Sequence, residues 1–500
     1  MTTSPHRALL LVLATAAVAT TATATVPTTR AEAAAPGLAW RACAPPGGPA
    51  GQECADLRVP LDYRTPNGPQ LTLAVSRLRS ERPAARRGTL LLIPGGPGGS
   101  GVDQLARKGK MLHKETAGAY DLVSFDPRGV GGSTTTSCRL RAADRRLVGL
   151  RSWPGPDGDI TENVIRSRRI ADACRRHGGP VLKSLSTANE VRDIDRLRRA
   201  LGERKLSAWG VSYGTYVGAV YAQKYPQHTD RWVLDSSGDP DPKRVERGWL
   251  ANMAKGADDR FPDFAAWAAD PERADAGLRL AEHPREVRPL FLRLAAKLDR
   301  MPRESTTPGV PLNGNRLRQA LQMALYSDGS FAQLAGLIQA ARAPGGKPAL
   351  PEALAQPLSG PDAAVTIATI CNDVPWPASL PAYRRAVTAD RVRHPLTAGM
   401  PANVTPCAFW KDAPADGPTR ITADGPANIL MVQGLRDPST PYSGALKMRA
   451  AFGDRARLVT VEHGGHGVYL ANGNACGDRA VTGFLTTGRR PNRDTYCADS

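Results

Sequence analysis

The pentapeptide Gly210-Val211-Ser212-Tyr213-Gly214 sets a serine between a short apolar run and a helical pattern. A serine at a strand-to-helix junction sits on a tight turn with its hydroxyl exposed, and glycines flank it where strand and helix approach too closely for larger side chains. Gly218, one helical turn on, serves the same packing. The chemistry indicated is nucleophilic attack by Ser212 on an acyl carbon. A hydroxyl is a weak nucleophile without a base, so a histidine must lie downstream, with a carboxylate to orient it. Of the eight histidines, His466 in Gly464-Gly465-His466-Gly467 follows the last predicted strand on a glycine-rich loop able to return an imidazole to the top of a sheet. His463 is the competitor, with a structural packing role expected. Asp437, just after the apolar run 429–432, completes the chain order Ser, Asp, His. Asp235, after the run 231–234, is the alternative acid.

A tetrahedral intermediate needs donors for its oxyanion, and backbone N–H groups serve if glycine lets the chain come close. The loop Gly95-Gly96-Pro97-Gly98 follows a buried strand and suits this role, so the donors are assigned to the N–H groups of Gly96 and of Tyr213, the residue after the nucleophile. A phosphate-cradle reading of that loop fails for want of a Gly-Lys-Ser/Thr ending. The mechanism calls for no metal or organic cofactor, and neither Cys-x-x-Cys pairs nor histidine clusters with ligand spacing occur.

The elements that must position these groups follow an α/β pattern. Thr89–Ile93, Asp121–Phe125, Leu206–Trp209, Arg231–Leu234, Ile429–Val432 and Leu458–Val461 read as strands. A helix from Thr187 carries Val191, Ile194, Leu197 and Leu201 on one face; Thr187 and Glu190 read as its capping box, and Gly202 as its stop. Another helix runs from Tyr213 to Tyr225. Between 241 and 425 strand patterning gives way to amphipathic stripes, Val287, Leu290, Phe291, Leu294, Leu298 and Leu317, Leu321, Ala324, Leu325 among them. The expected organisation is an α/β core over 40–240 and 426–500, interrupted by a mainly helical cap over 241–425. Asp126 and Arg128 are expected to pair locally beside the active site.

Four motifs together, Pro94-Gly95-Gly96-Pro97-Gly98, Asp126-Pro127-Arg128-Gly129-Val130-Gly131-Gly132-Ser133, Gly210-Val211-Ser212-Tyr213-Gly214-Thr215-Tyr216 and Gly434-Leu435-Arg436-Asp437, resemble the secreted tripeptidyl aminopeptidases of actinomycetes. These are serine exopeptidases of the prolyl-aminopeptidase-like branch of the α/β-hydrolases. The resemblance covers most of the chain beyond the leader and departs at Pro94, where prolyl aminopeptidases carry His before the double glycine. It implies an α/β-hydrolase fold, a mostly parallel sheet flanked by helices with an inserted helical cap, and release of short peptides, tripeptides above all, from free N-termini. It also implies that acidic or amide side chains of the cap bind the substrate's amino terminus; Asn372 and Asp373 are the candidates. Trp376 and Trp410 are weighed for the same pocket, with core packing their expected fate.

Composition limits the rivals. The chain has 500 residues, 41% hydrophobic and 23% charged, enough for a substantial core. The net charge of +19 invites a nucleic-acid reading. The basic residues are spread along the chain, and no helix-turn-helix or zinc-finger pattern accompanies them, so nucleic acid is not an expected partner. Contact of a basic surface with anionic cell-wall polymer is. At the start, Arg7, an apolar run Ala8–Ala19 and Ala31-Glu32-Ala33 read as a secretory signal over 1–33, with Ala22-Thr23-Ala24 a rival cut site and a short propeptide left open. No stretch is long and apolar enough to span a bilayer. All eight cysteines, Cys43, Cys54, Cys138, Cys174, Cys371, Cys407, Cys476 and Cys497, lie beyond this leader, and in an oxidising destination they predict disulfides. Nearest-neighbour pairing is the working expectation. An extracellular peptidase is thus the first reading; a carboxylesterase with the same triad and a catalytically silent wall-binding protein are its rivals.

Overall fold

The computed structural model describes residues 37–43, 51–412, 414–472 and 474–498, with residue 246 described by its backbone alone. The leader assigned to residues 1–33 lies outside the described residues. Among the described residues ten strands form one sheet: β1 (Arg41–Ala42), β2 (Glu53–Pro60), β3 (Gln70–Leu78), β4 (Thr89–Ile93), β5 (Asp121–Phe125), β6 (Leu206–Val211), β7 (Thr229–Asp235), β8 (Ile429–Arg436), β9 (Ala456–Gly464) and β10 (Thr495–Cys497). Their spatial order is β1-β2-β3-β5-β4-β6-β7-β8-β9-β10. The first three run antiparallel to their neighbours, and every pairing from β5 onward is parallel. A parallel sheet must be covered on both faces, which is why β4, Thr-Leu-Leu-Leu-Ile, is buried at every residue.

Helix α1 (Gly101–Glu115) follows β4; α2 (Leu147–Leu150), α3 (Thr161–His177), α4 (Gly179–Lys183) and α5 (Thr187–Ala200) separate β5 from β6; α6 (Tyr213–Lys224) links β6 to β7. The long connection from β7 to β8 holds α7 (Val245–Ala269), α8 (Pro284–Arg300), α9 (Gly314–Ala324), α10 (Phe331–Arg342), α11 (Glu352–Ala355), α12 (Gly360–Asp373) and α13 (Leu380–Arg393). Helices α14 (Tyr442–Phe452) and α15 (Ala475–Thr487) complete the α/β layer. The two apolar stripes read from sequence, on α8 and α9, meet Phe261, Phe264 and Phe331 in a second core belonging to this helical region. That region also draws on the β5–β6 connection: Leu147 and Val148 pack against it, and Trp153 donates its indole N–H to Gln319 Oε1 at 3.0 Å.

The eight cysteines are joined as Cys43–Cys54, Cys138–Cys174, Cys371–Cys407 and Cys476–Cys497. Each bridge staples neighbouring elements, and closing loops of this size contributes on the order of 2–4 kcal/mol apiece.

Two local expectations are corrected. Asp126 and Arg128 do not pair: Asp126 accepts from Ser100 Oγ and from the N–H groups of Val102 and Gly132, whereas Arg128 crosses to Asp193 with bonds of 2.7 and 2.8 Å. The Asp126 carboxylate is satisfied by the N-terminus of α1 and by Gly132 of its own loop, so the buried guanidinium needs a partner elsewhere. The capping box is shifted as well. Ser186 caps α5 by accepting from Asn189 N–H, so Glu190 moves one position along the helix and turns inward. Its carboxyl is buried, Oε2 accepts from the Tyr213 hydroxyl at 3.3 Å, and Oε1 has no partner. Burial first, then the nearby Asp193 carboxylate, pushes its pKa up to about 8. A folded-state pKa above the unfolded value of about 4.5 gives stability that is present at acid pH and lost as pH rises toward 8. Glu190→Gln, an isostere of the protonated acid, is therefore expected to match wild type near pH 5. It should exceed wild type by roughly 1–3 kcal/mol near pH 9, read from urea unfolding at the two pH values.

Candidate active site

The three residues proposed for the triad lie just past the C-terminal ends of β6, β8 and β9, on the side where open α/β sheets place their ligand crevices. Ser212 joins β6 to α6 with φ 59° and ψ −124°, a left-handed conformation a serine adopts only under constraint. Its N–H donates to Asp235 O at 3.0 Å, and its carbonyl accepts from Thr215 N–H at 2.9 Å. The turn requires glycine because a Cβ on Gly214 would meet Ile93 O at 2.4 Å.

Asp437 is fully buried past the end of β8. One carboxylate oxygen accepts from the N–H groups of Ser439 and Thr440 at 2.8 and 2.9 Å, and the other from Thr440 Oγ1 at 2.9 Å. His466 Nδ1 lies 2.9 Å from Asp437 Oδ2 and 3.0 Å from Oδ1. An Nδ1–H donated to this carboxylate leaves Nε2 as the acceptor, the tautomer a general base needs. Burial pulls the His466 pKa down, but the charge and hydrogen bond of Asp437, with the charge of Asp235, outweigh it and hold it above the ordinary value.

The loop after β9 that carries His466 is tied down from several directions. Tyr326 O accepts the His466 N–H at 2.9 Å, and Ser236 Oγ accepts from Gly467 N–H at 3.0 Å. Asp235 accepts from the N–H groups of Val468 and Tyr469 at 2.8 and 2.9 Å and from the Trp209 indole at 3.3 Å. Asp235 is thus the anchor of the histidine loop and not its acid, and burial pushes its pKa up to about 6. His463 belongs to β9 and does not border the cavity described below. Asp235→Asn replaces one acceptor by a donor facing a backbone N–H, so kcat is expected to fall about tenfold to a hundredfold, with a lower Tm. Differential scanning fluorimetry beside initial rates measures both.

The Gly95–Gly99 loop lies against the nucleophile: a Cβ on Gly95 would stand 3.1 Å from Ser212 Cβ. Gly96 adopts φ +123°, and a Cβ there would strike Gly98 N at 2.6 Å, so the bend admits glycine alone. Its N–H meets no protein acceptor among the described residues, as a donor kept for substrate would.

Ser212 and His466 border one cavity of about 580 Å3, roofed by the helical region. Gly96 and Tyr213 line its floor; Leu150, Trp249, Met253, Ile367 and Met400 supply much of its apolar wall. The Tyr213 ring packs edge-on to Trp249 at 6.3 Å. Sequence reasoning missed three contributors. Tyr326 stands edge-on to His466 at 4.9 Å and donates its hydroxyl to Ser439 Oγ at 2.9 Å; Trp249 and Arg151 line the wall. None carries a local motif, since each reaches the cavity through long-range packing.

Asn372 and Asp373 are not brought to the cavity, which corrects their assignment to the substrate's amino terminus. They close α12 and are held in structural bonds. Asn372 Nδ2 donates to the carbonyls of Leu182 and Leu185 and its Oδ1 accepts from the Trp410 indole, while Asp373 accepts from the Thr187 N–H and hydroxyl. Trp376 and Trp410 pack with the cluster around the Cys371–Cys407 bridge, as core residues do. Among the described residues no three His, Cys, Asp or Glu side chains cluster as metal ligands would, and no helix is long and apolar enough to cross a membrane.

The family model described as TAP-like protein matches residues 395–497. Over 487 residues the chain is 34% identical to a tripeptidyl aminopeptidase of Streptomyces lividans, covering 94% of this chain and 88% of that protein. It is 28% identical over 473 residues to serine protease Hip1 of Mycobacterium tuberculosis, with 90% of this chain and 88% of the relative covered. A carboxylesterase B of the same species is 30% identical over 469 residues, with 89% and 86% covered.

Proposed function

The chain belongs to the tripeptidyl aminopeptidase family of α/β-hydrolases and is a serine hydrolase; from that premise we propose that it is an exported exopeptidase releasing short peptides, tripeptides first, from free N-termini. The observation that carries the reading is the roofed cavity of about 580 Å3 with Ser212 and His466 at its floor. A space of this size accommodates a segment of a few residues, which fits release of short peptides. Four disulfides support an oxidising destination outside the cytosol.

In the proposed reaction Ser212 Oγ attacks the scissile carbonyl carbon as its proton passes to His466 Nε2. Asp437 keeps the imidazole in its tautomer and stabilises the imidazolium, and the N–H groups of Gly96 and Tyr213 receive the oxyanion. The proton then goes to the departing amine, the C–N bond breaks, and an acyl-enzyme remains on Ser212. Water, deprotonated by His466, returns the free peptide carboxylate and the serine hydroxyl.

One observation favours a second reading, a carboxylesterase: no carboxylate among the described side chains lines the cavity to receive an ammonium, and its walls are mostly apolar. A chromogenic tripeptide amide, with its amine free and then acetylated, beside a short-chain nitrophenyl ester separates the two. Hydrolysis of the free peptide in preference to the acetylated one supports the exopeptidase; ester hydrolysis with both peptides intact replaces it with the esterase.

A further inference from the structure

The cavity wall carries one charged side chain besides His466 among the described residues, Arg151. It caps the C-terminus of α2, with its N–H on Leu147 O at 2.9 Å, in a segment fixed on both sides. Arg146 donates to Ala355 O at 2.7 Å, and Asn403 donates to the Ser152 carbonyl. The guanidinium has a single weak contact, to Met253 Sδ at 3.9 Å. Arginines held inside the molecule make strong bonds: Arg128 is paired with Asp193, Arg318 with Asp299 and Arg260 with Asp263 and Asp328, while Arg455 donates to Gln223 Oε1 and to the carbonyls of Ala222 and Thr422; the Arg151 guanidinium has no bond of this kind. A guanidinium offers five donors in a planar fork and loses hydration when faced with apolar walls, so an unpaired one lining a substrate cavity calls for an anion.

We propose that Arg151 determines specificity by receiving a carboxylate on the acyl part of the substrate, the side chain of an aspartyl or glutamyl residue in the released peptide. The same charge repels an ammonium, so the free amino terminus of a bound peptide lies away from this wall. The inference rests on Ser212 and His466 marking the hydrolytic floor of the cavity. A carboxylate presented to the fork in place of its neutral isostere makes a charge-assisted, two-pronged hydrogen bond, for which discrimination of about tenfold to a hundredfold is expected.

The test uses free-amine tripeptide anilides in which Glu replaces Gln at each of the three positions in turn, and, as a second series, the nitrophenyl monoester of adipic acid against nitrophenyl hexanoate. For wild type, kcat/KM for the acid should exceed that for its neutral partner about tenfold or more at one peptide position. The ratio should fall to about one in Arg151→Gln, drop below one in Arg151→Glu, and be partly kept in Arg151→Lys. Equal wild-type rates for acid and neutral partners, or a preference that persists in Arg151→Gln and Arg151→Glu, would overturn the proposal. If no peptide is cut, the exopeptidase reading fails while the ester pair still decides the role of Arg151; where both series are cut, the peptide series governs.

Discussion

Ser212→Ala is expected to lower kcat/KM for any substrate of this protein by about four orders of magnitude or more, with Tm and far-ultraviolet circular dichroism close to wild type. The effect is large because, in the proposed reaction, the hydroxyl makes the bond that splits one difficult step into two. The fold should hold because the hydrogen bonds of the turn run through the backbone of Ser212, its N–H to Asp235 O and its carbonyl from Thr215 N–H. Alanine keeps both, although it too must adopt the φ of 59°. A fluorophosphonate should label wild type once and the variant not at all; retained hydrolysis in a purified variant would remove Ser212 from the reaction.

Asp437→Asn should produce the second-largest loss, about 10^4 in kcat, for an electrostatic reason and a tautomeric one. An amide that turns its NH2 toward the imidazole favours the tautomer with a proton on Nε2, where no base is then available. The pH profile carries a sign that a merely structural defect would not give. In wild type, burial lowers the His466 pKa, yet Asp437 and Asp235 hold it above its ordinary value, while Tyr326 packs edge-on against the ring. Activity needs the neutral imidazole, so the acid limb of kcat/KM should fall at a pH above about 6.5, activity being lost below that point. Removing the Asp437 charge leaves burial and the weaker influence of Asp235, and the residual activity should show its acid limb at lower pH than wild type. An unmoved limb would mean that another group titrates.

The candidate triad, as the geometry groups it, was legible in the sequence because each member stands just past a strand and carries a local signal: glycines about Ser212, Asp-Pro at 437, a glycine run about His466. The disulfides were legible for a similar reason, since each joins elements close along the chain. Strands β4 to β9 of the parallel part of the sheet gave continuous apolar runs, and the stripes of α8 and α9 gave the helical region its core. What could not be read depends on distance. Tyr326 reaches His466 from the far side of a long insertion, and Arg151 reaches the cavity from the β5–β6 connection, which looked like core. Asp126 and Arg128 misled because nearness in sequence is not contact, and Glu190 because a helix starting one residue earlier turns a capping side chain into a buried one. The acidic motif at Asn372 and Asp373 carries ordinary structural hydrogen bonds. Nothing in its sequence distinguishes such a motif from an ammonium site, and only the bonds to Leu182, Leu185 and Thr187 do.

The most direct test of the central claim is mass-spectrometric identification of the first product formed from a hexapeptide with a free amino terminus and from the same peptide acetylated. A roofed site that accepts an amino-terminal segment should release the first three residues as one peptide and spare the acetylated form. Cleavage of both forms alike, or of neither while a nitrophenyl ester is hydrolysed, would contradict it.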